Sequence, residues 1–182
     1  MFSQSELDLI KSSIKSIPNY PKPGVNFRDV TSLVEDGQAF AASVDMLARV
    51  YKDKNITKVV GAEARGFVFG AAVAHVLKAG FVLARKPNKL PRETLAKTYA
   101  LEYGEDELHI HKDAIDHNDN VLLVDDLIAT GGTMEAAIHL TRSLGAKVEH
   151  AAFVIALPDL GGVDKIQQLG VQAFSLVSFD GD

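Results

Sequence analysis

The sequence predicts an α/β protein whose core is a mostly parallel sheet flanked by helices. Two observations carry this expectation. KVVGA (58–62), FVLARK (81–86), VLLVDD (121–126) and EHAAFVIAL (149–157) are short apolar, β-rich runs. Helical segments at 66–78 and 134–144 lie between them, and strand, helix, strand alternation implies parallel strands covered on both faces. A length of 182 residues fits one domain with a single core.

The elements follow in order. Ser3 with Glu6 forms a capping box for a first helix, in which Leu7, Ile10, Ile14 and Ile17 recur at helical spacing until Pro18, Pro21 and Pro23 end it. NYPKPGVNFRDVT (19–31) reads as a proline-rich connection to a second helix over about 38–52, with Phe40, Val44, Leu47 and Ala48 on its apolar face. Within 66–78, Gly66 and Gly70 form a G-x-x-x-G that permits close packing on the sheet. Between FVLARK and VLLVDD, a polar, loop-like stretch gives way to alternation of Leu108 and Ile110 with His109 and His111. That pattern predicts a hairpin with one face to water, standing apart from the parallel sheet. The two histidines lack a third ligand at a recognisable spacing, so they are read as surface residues and not as metal ligands. GVDKIQQLG (162–170) and AFSLVSF (173–179) predict a short helix and a final strand.

Composition narrows the function classes. With 47% hydrophobic and 24% charged residues the chain is of ordinary globular type, without repeats or low-complexity tracts. A net charge of −5 disfavours a broad footprint on nucleic acid or anionic membrane, so any phosphate recognition is local. There is no cysteine, which excludes disulfides and thiolate metal sites and fits a reducing compartment. MFSQSELDLIKSS (1–13) has no signal-peptide pattern. The most apolar stretch, GFVFGAAVAHVL (66–77), is shorter than the roughly 18 to 20 residues of a membrane span. A cytoplasmic protein is expected.

The chemistry is concentrated in VLLVDDLIATGGT (121–133). Ligands of open α/β sheets bind at the carboxyl ends of strands, which places Asp125 and Asp126 at the mouth of a site. Gly131 and Gly132 allow a tight turn, Thr130 and Thr133 add hydroxyls, and the helix that follows points its positive end at the ligand. No Lys follows the second Gly and no G-x-G-x-x-G is present, so neither the Walker loop nor the dinucleotide fingerprint applies. A sugar phosphate suits what remains: its phosphate meets the N–H groups and its hydroxyls donate to the carboxylates. A ribose 5-phosphate is therefore expected, with Asp125 and Asp126 facing the 2- and 3-hydroxyls and able to stabilise a cationic sugar.

VLLVDDLIATGGT also resembles the phosphoribosyl-diphosphate signature of the type I phosphoribosyltransferases. YPKPGVNFRDVTSL, EARGFVFG, RKPNKLP and LEYGEDELHIHKDAI are similar, in order and spacing across nearly the whole chain, to the adenine-using branch of that family. One departure is Asn88, where the family commonly has Gly. The resemblance implies the type I phosphoribosyltransferase fold as a single domain over 1–182, with a small N-terminal hood (about 1–35) and a flexible lid hairpin (about 87–112). It implies transfer of phosphoribosyl from 5-phospho-α-D-ribose 1-diphosphate to adenine, giving AMP and diphosphate in purine salvage.

By the same resemblance, Asp125 and Asp126 hold the ribose and Ala129, Thr130, Gly131, Gly132 and Thr133 the 5-phosphate. Glu63, Ala64, Arg65, Arg85, Lys86 and Lys89 serve the diphosphate with magnesium, and Arg85 could act in a partner subunit's site, since a homodimer is implied. Read alone, Lys89 could equally be a solvated surface charge. Phe27 would stack on adenine while backbone groups around Asn26 and Arg28 read its amino edge. Without the family, a phenylalanine there reads more readily as core than as a stacking platform. In the lid, Glu102 would assist proton handling at the purine, with Tyr103 its neighbour toward the diphosphate, although a Glu in a polar hairpin is by itself a surface charge. Magnesium would arrive on the diphosphate without dedicated protein ligands. Two rivals remain open: a phosphoribosyltransferase for a 6-oxopurine, and a non-catalytic sensor of phosphoribosyl diphosphate.

Overall fold

A computed structural model describes residues 3–100 and 105–180. Glu102 and Tyr103 lie outside the described residues. Helix α1 (Gln4–Ser13) starts on the expected capping box: the Ser3 hydroxyl accepts from Glu6 N–H, and the Glu6 carboxylate accepts from Ser3 N–H at 3.0 Å. It is shorter than the periodicity implied. Ile14 caps it, and Ile17 belongs to strand β1 (Lys15–Pro18), which pairs antiparallel with β2 (Asn26–Asp29). The stretch read as a connection is thus a hairpin, whose loop contains left-handed Asn19 and Gly24.

Helix α2 (Thr31–Glu35) is a single short turn before α3 (Gly37–Tyr51), whose N-terminus is capped by the Asp36 carboxylate accepting from Gln38 and Ala39 N–H. Next come β3 (Lys58–Ala62), α4 (Gly66–Leu77) and β4 (Gly80–Ala84), followed by the antiparallel pair β5 (Thr94–Ala100) and β6 (Glu105–His111). Strand β7 (Asn120–Ile128), α5 (Gly132–Ser143), β8 (Lys147–Ala156), α6 (Gly162–Gln168) and β9 (Gln172–Ser178) complete the described chain.

Five strands form one parallel sheet in the order β4-β3-β7-β8-β9. Alternation along the strands fills both faces. Val59, Leu122, Val124, Ala152 and Val154 pack with Met46 and Leu47 of α3 and Phe69 and Val73 of α4. Val60, Val121, Leu123, Ala151 and Phe153 pack with Ile138 and Leu140 of α5, Ile166 of α6 and Leu108 and Ile110 of β6. Each such fully buried large side chain contributes about 1.5–3 kcal/mol of hydrophobic stabilisation.

The β5–β6 hairpin therefore lies over α5, and its outward histidines are not surface residues. His111 is 9% exposed; its Nε2 accepts from Arg92 N–H, and its Nδ1 lies 3.0 Å from the Arg92 guanidinium. His109 Nδ1 is 3.0 Å from the Thr94 hydroxyl. The alternation was right about Leu108 and Ile110. It could not foresee that Arg92 and Thr94 cover the opposite face.

From β3 the chain moves outward through α4 to β4, then returns by the hairpin to lay β7 on the other side of β3. The crossover direction reverses at the β3–β7 pair, and the crevice outside their carboxyl ends is where an open α/β sheet holds its ligand.

Candidate active site

A cavity of about 280 Å³ opens at that crevice, lined by Glu63, Ala64 and Arg65 after β3 and by residues 125–134 from β7 and the start of α5, with Phe153 beneath. Two helices begin there. No side chain caps α4 or α5, and the first described bond of α5 runs from Glu135 N–H to Gly131 C=O at 2.9 Å. The preceding N–H groups and the positive helix ends thus form an anion-holding rim. Gly131 is left-handed (φ 79°), which lets Thr130 to Thr133 turn around a small anion.

The carboxylates differ. Asp126 is buried and receives the Arg65 guanidinium, Nε to Oδ2 at 2.5 Å. Asp125 accepts from Asp126 N–H at 2.8 Å. Burial, and next the charge of Asp126, push the Asp125 carboxyl well above its usual range, with Arg65 opposing. Gly66 makes this arrangement possible, because a Cβ there would sit 2.6 Å from Asp125 Oδ1 and 3.1 Å from the Val124 carbonyl. The other glycine of the G-x-x-x-G, Gly70, admits the Phe81 ring, as expected of close packing.

Arg85 and Lys86 are also paired. Glu63 accepts from Arg85 at 3.2 Å on each oxygen and from Lys86 N–H at 2.9 Å, so its carboxyl is held below the usual range, chiefly by Arg85. Its role in this arrangement is to orient Arg85. The Lys86 ammonium pairs with Asp106 of the hairpin, and the Lys89 carbonyl accepts from Arg85 at 3.2 Å. Arg85, Lys86 and Lys89 stand outside the residues that line the cavity. The Glu63–Ala64 peptide is cis. Asn88 adopts φ 62°, the left-handed region in which glycine is freest and asparagine next best tolerated. The residue that departs from the family pattern thus keeps a backbone shape glycine would readily take.

A second cavity, of about 260 Å³, is lined by Ile17, Tyr20, Phe27, Asp29, Thr31 and Arg65. Arg65 lines both cavities, with its guanidinium carbon 5.8 Å from the Phe27 ring centre. Phe27 is only half-buried and meets Tyr20 edge-on at 5.2 Å. It is therefore a wall of a cavity and not core. Asn26 and Arg28 flank it on β2, but the Arg28 side chain turns away, to Ser16 and over the Phe179 ring at 4.5 Å. Tyr20 escaped the sequence reading and Ile17 was read as part of the first helix, although the turn signals of YPKPG between KSIP and NFRD would have supported a hairpin.

This arrangement sets an anion cradle behind paired carboxylates at the switch point of a parallel sheet, beside a second cavity with an aromatic wall. Comparison with known proteins gives the class: the phosphoribosyl transferase domain model matches residues 30–176. An adenine phosphoribosyltransferase of Actinobacillus pleuropneumoniae serotype 5b is 62% identical over 177 residues, 97% of this chain and 99% of that protein. The crystal structure of adenine phosphoribosyltransferase from Thermoanaerobacter pseudethanolicus superposes with TM-score 0.91 at 45% identity, covering 95% of this chain and 99% of that one. That of the Saccharomyces cerevisiae enzyme, complexed with an imino-altritol bisphosphate and adenine, superposes at 0.89 with 36% identity, covering 96% and 100%. The chain belongs to the phosphoribosyltransferase family, and to its adenine phosphoribosyltransferase branch.

Proposed function

We propose that the protein joins adenine to the phosphoribosyl group of 5-phospho-α-D-ribose 1-diphosphate, releasing AMP and diphosphate as a step of purine salvage. The observation that carries this reading is the meeting of the two cavities at Arg65: one offers an anion cradle with carboxylates, the other an aromatic wall. A ribose with its phosphate on residues 129–133 would direct C1 toward the junction, where a base on Phe27 could reach it.

In the reaction, the bond from C1 to diphosphate breaks, the bond from C1 to the adenine nitrogen forms, and that nitrogen loses its proton. Positive charge builds on the sugar between these events. Asp125 and Asp126 would hold the ribose hydroxyls and offset that charge, a contribution worth most where it is pre-positioned. Arg65, half-exposed and tethered to Asp126, is the nearest cation for the departing diphosphate. Arg85, Lys86 and Lys89 would join it as the 87–112 lid, carrying Glu102 and Tyr103, closes and excludes water. The hood of residues 1–35 supplies Phe27, with Asn26 and Arg28 offering backbone groups to the adenine edge.

Magnesium fits as a companion of the substrate. Among the described residues no three His, Asp or Glu side chains cluster to hold a metal, and Asp126 is already engaged by Arg65. Bound to the diphosphate, the ion would neutralise leaving-group charge. The same reading includes a homodimer in the cytoplasm; exposed Val68 and Val76 on α4 favour a covered surface, and no helix among the described residues is long and apolar enough to cross a membrane.

The reading is tested by following diphosphate release. Release that requires both adenine and magnesium supports it, and release without adenine, or none under any condition, refutes it.

A further inference from the structure

The anion cradle is closed from behind by a segment far away in sequence. After β8, a short turn (Pro158–Leu160) leads through left-handed Gly161 to Gly162 at the start of α6. Gly162 N–H donates to the Ala129 carbonyl at 3.0 Å, and Leu157 N–H donates to the Ile128 carbonyl at 3.0 Å. The two backbones touch. A Cβ on Gly162 would lie 2.2 Å from the Ala129 carbonyl oxygen and 2.7 Å from Gly131 N, and a Cβ on Gly131 would meet Gly162 at 3.0 Å. Real Cβ atoms do not approach backbone so closely, so any side chain at 162 must displace the 129–131 turn. Ile166, fully buried, pins α6 to the core, so the α6 side has little freedom to yield.

We infer that Gly162 is a positioning residue for the 5-phosphate: its bare backbone, held by α6, sets the curvature of residues 129–131 and thereby the direction of their N–H groups. It touches no substrate. The inference rests on the 129–133 turn being the 5-phosphate cradle. An error of about 1 Å in such a cradle is enough to lower activity on the order of a hundredfold.

The test compares product inhibition in Gly162→Ala. AMP carries the 5-phosphate and diphosphate does not, so the variant should weaken AMP inhibition and raise KM for phosphoribosyl diphosphate at least about tenfold, while inhibition by diphosphate changes less than about twofold. Gly170→Ala is the control: Gly170 is left-handed (φ 74°) with open space around its would-be Cβ, so alanine there strains the backbone near the end of α6 without pressing on the 129–131 turn. It should leave the ratio of AMP to diphosphate inhibition unchanged. If Gly162→Ala is insoluble, Ile166→Val loosens the anchor of α6 and should weaken AMP about twofold to threefold with diphosphate unaltered. Equal weakening of both products, or of neither, overturns the inference. Should the wild-type protein form no AMP, thermal protection by ribose 5-phosphate replaces the assay. Protection seen in wild type and lost in Gly162→Ala keeps this inference while the proposed activity falls, and absence of protection in wild type overturns both.

Discussion

At the scale of single residues, the site places groups where chemistry gains and the fold loses. Asp125 is an example. Its folded pKa lies above the unfolded value, so the folded state binds the extra proton and stability falls as pH rises from the unfolded pKa, about 3.9, toward the folded one. Ionising it in the folded state therefore costs stability, because burial and the Asp126 charge both oppose the carboxylate. Asp125→Asn should therefore raise Tm by about 2–4 °C for each kcal/mol relieved, while lowering kcat/KM at least about a hundredfold. Calorimetry and steady-state assays check the pair, and a lowered Tm would contradict the electrostatic account. Glu63 has the opposite sign. Its folded pKa is depressed by Arg85, so its contribution is complete above the unfolded pKa, about 4.3, and is lost as pH falls through the folded value. Glu63→Gln should flatten the acid limb of the stability profile and raise KM for phosphoribosyl diphosphate by unmooring Arg85. Asn88 supplies a backbone case: Asn88→Gly should be near neutral in urea denaturation, and Asn88→Val should destabilise by about 1–2 kcal/mol. The Asp-Asp and Gly-Gly-Thr residues could be read from sequence because their chemistry is local. The pairing of Arg65 with Asp126, and of Lys86 with Asp106, could not, because each joins residues brought together only by sheet order or hairpin register.

At the scale of elements, periodicity found every strand of the central sheet and its main helices to within a few residues. It failed where the chain is not half-buried in a regular way. Ile17 continued the helical spacing of α1, yet the strand pairing of Lys15–Pro18 with Asn26–Asp29 prevails, since the Pro residues and Gly24 favour a reversal over further helix. That hairpin carries Phe27 and Tyr20, so misreading the element also hid half of the second cavity. Helix α3 offers a direct check on local signals. Asp36 caps two N–H groups, and Asp36→Ala should cost about 1 kcal/mol in urea denaturation without changing KM for either substrate. Gly66→Ala is the contrasting case at the start of α4. Its methyl would meet the Asp125 carboxylate, so catalysis should fall far more than stability.

At the scale of the whole molecule, function follows from sheet order. Because β7 returns beside β3, two helix N-termini and the ends of two strands converge, and a hairpin from the first thirty residues adds an aromatic wall against Arg65. Sequence alone pointed to the first cavity through a compact motif. The second depends on how distant segments fold back, and Gly162 behind the cradle carries no signal beyond an ordinary Gly-Gly turn. The central claim is that these two cavities act as one site for a ribose phosphate and adenine. It is tested most directly by offering adenine, hypoxanthine, guanine and xanthine separately with phosphoribosyl diphosphate and magnesium, and identifying the nucleotide formed. The account predicts AMP from adenine alone; formation of a 6-oxopurine nucleotide in preference, or of no nucleotide from any base, would contradict it.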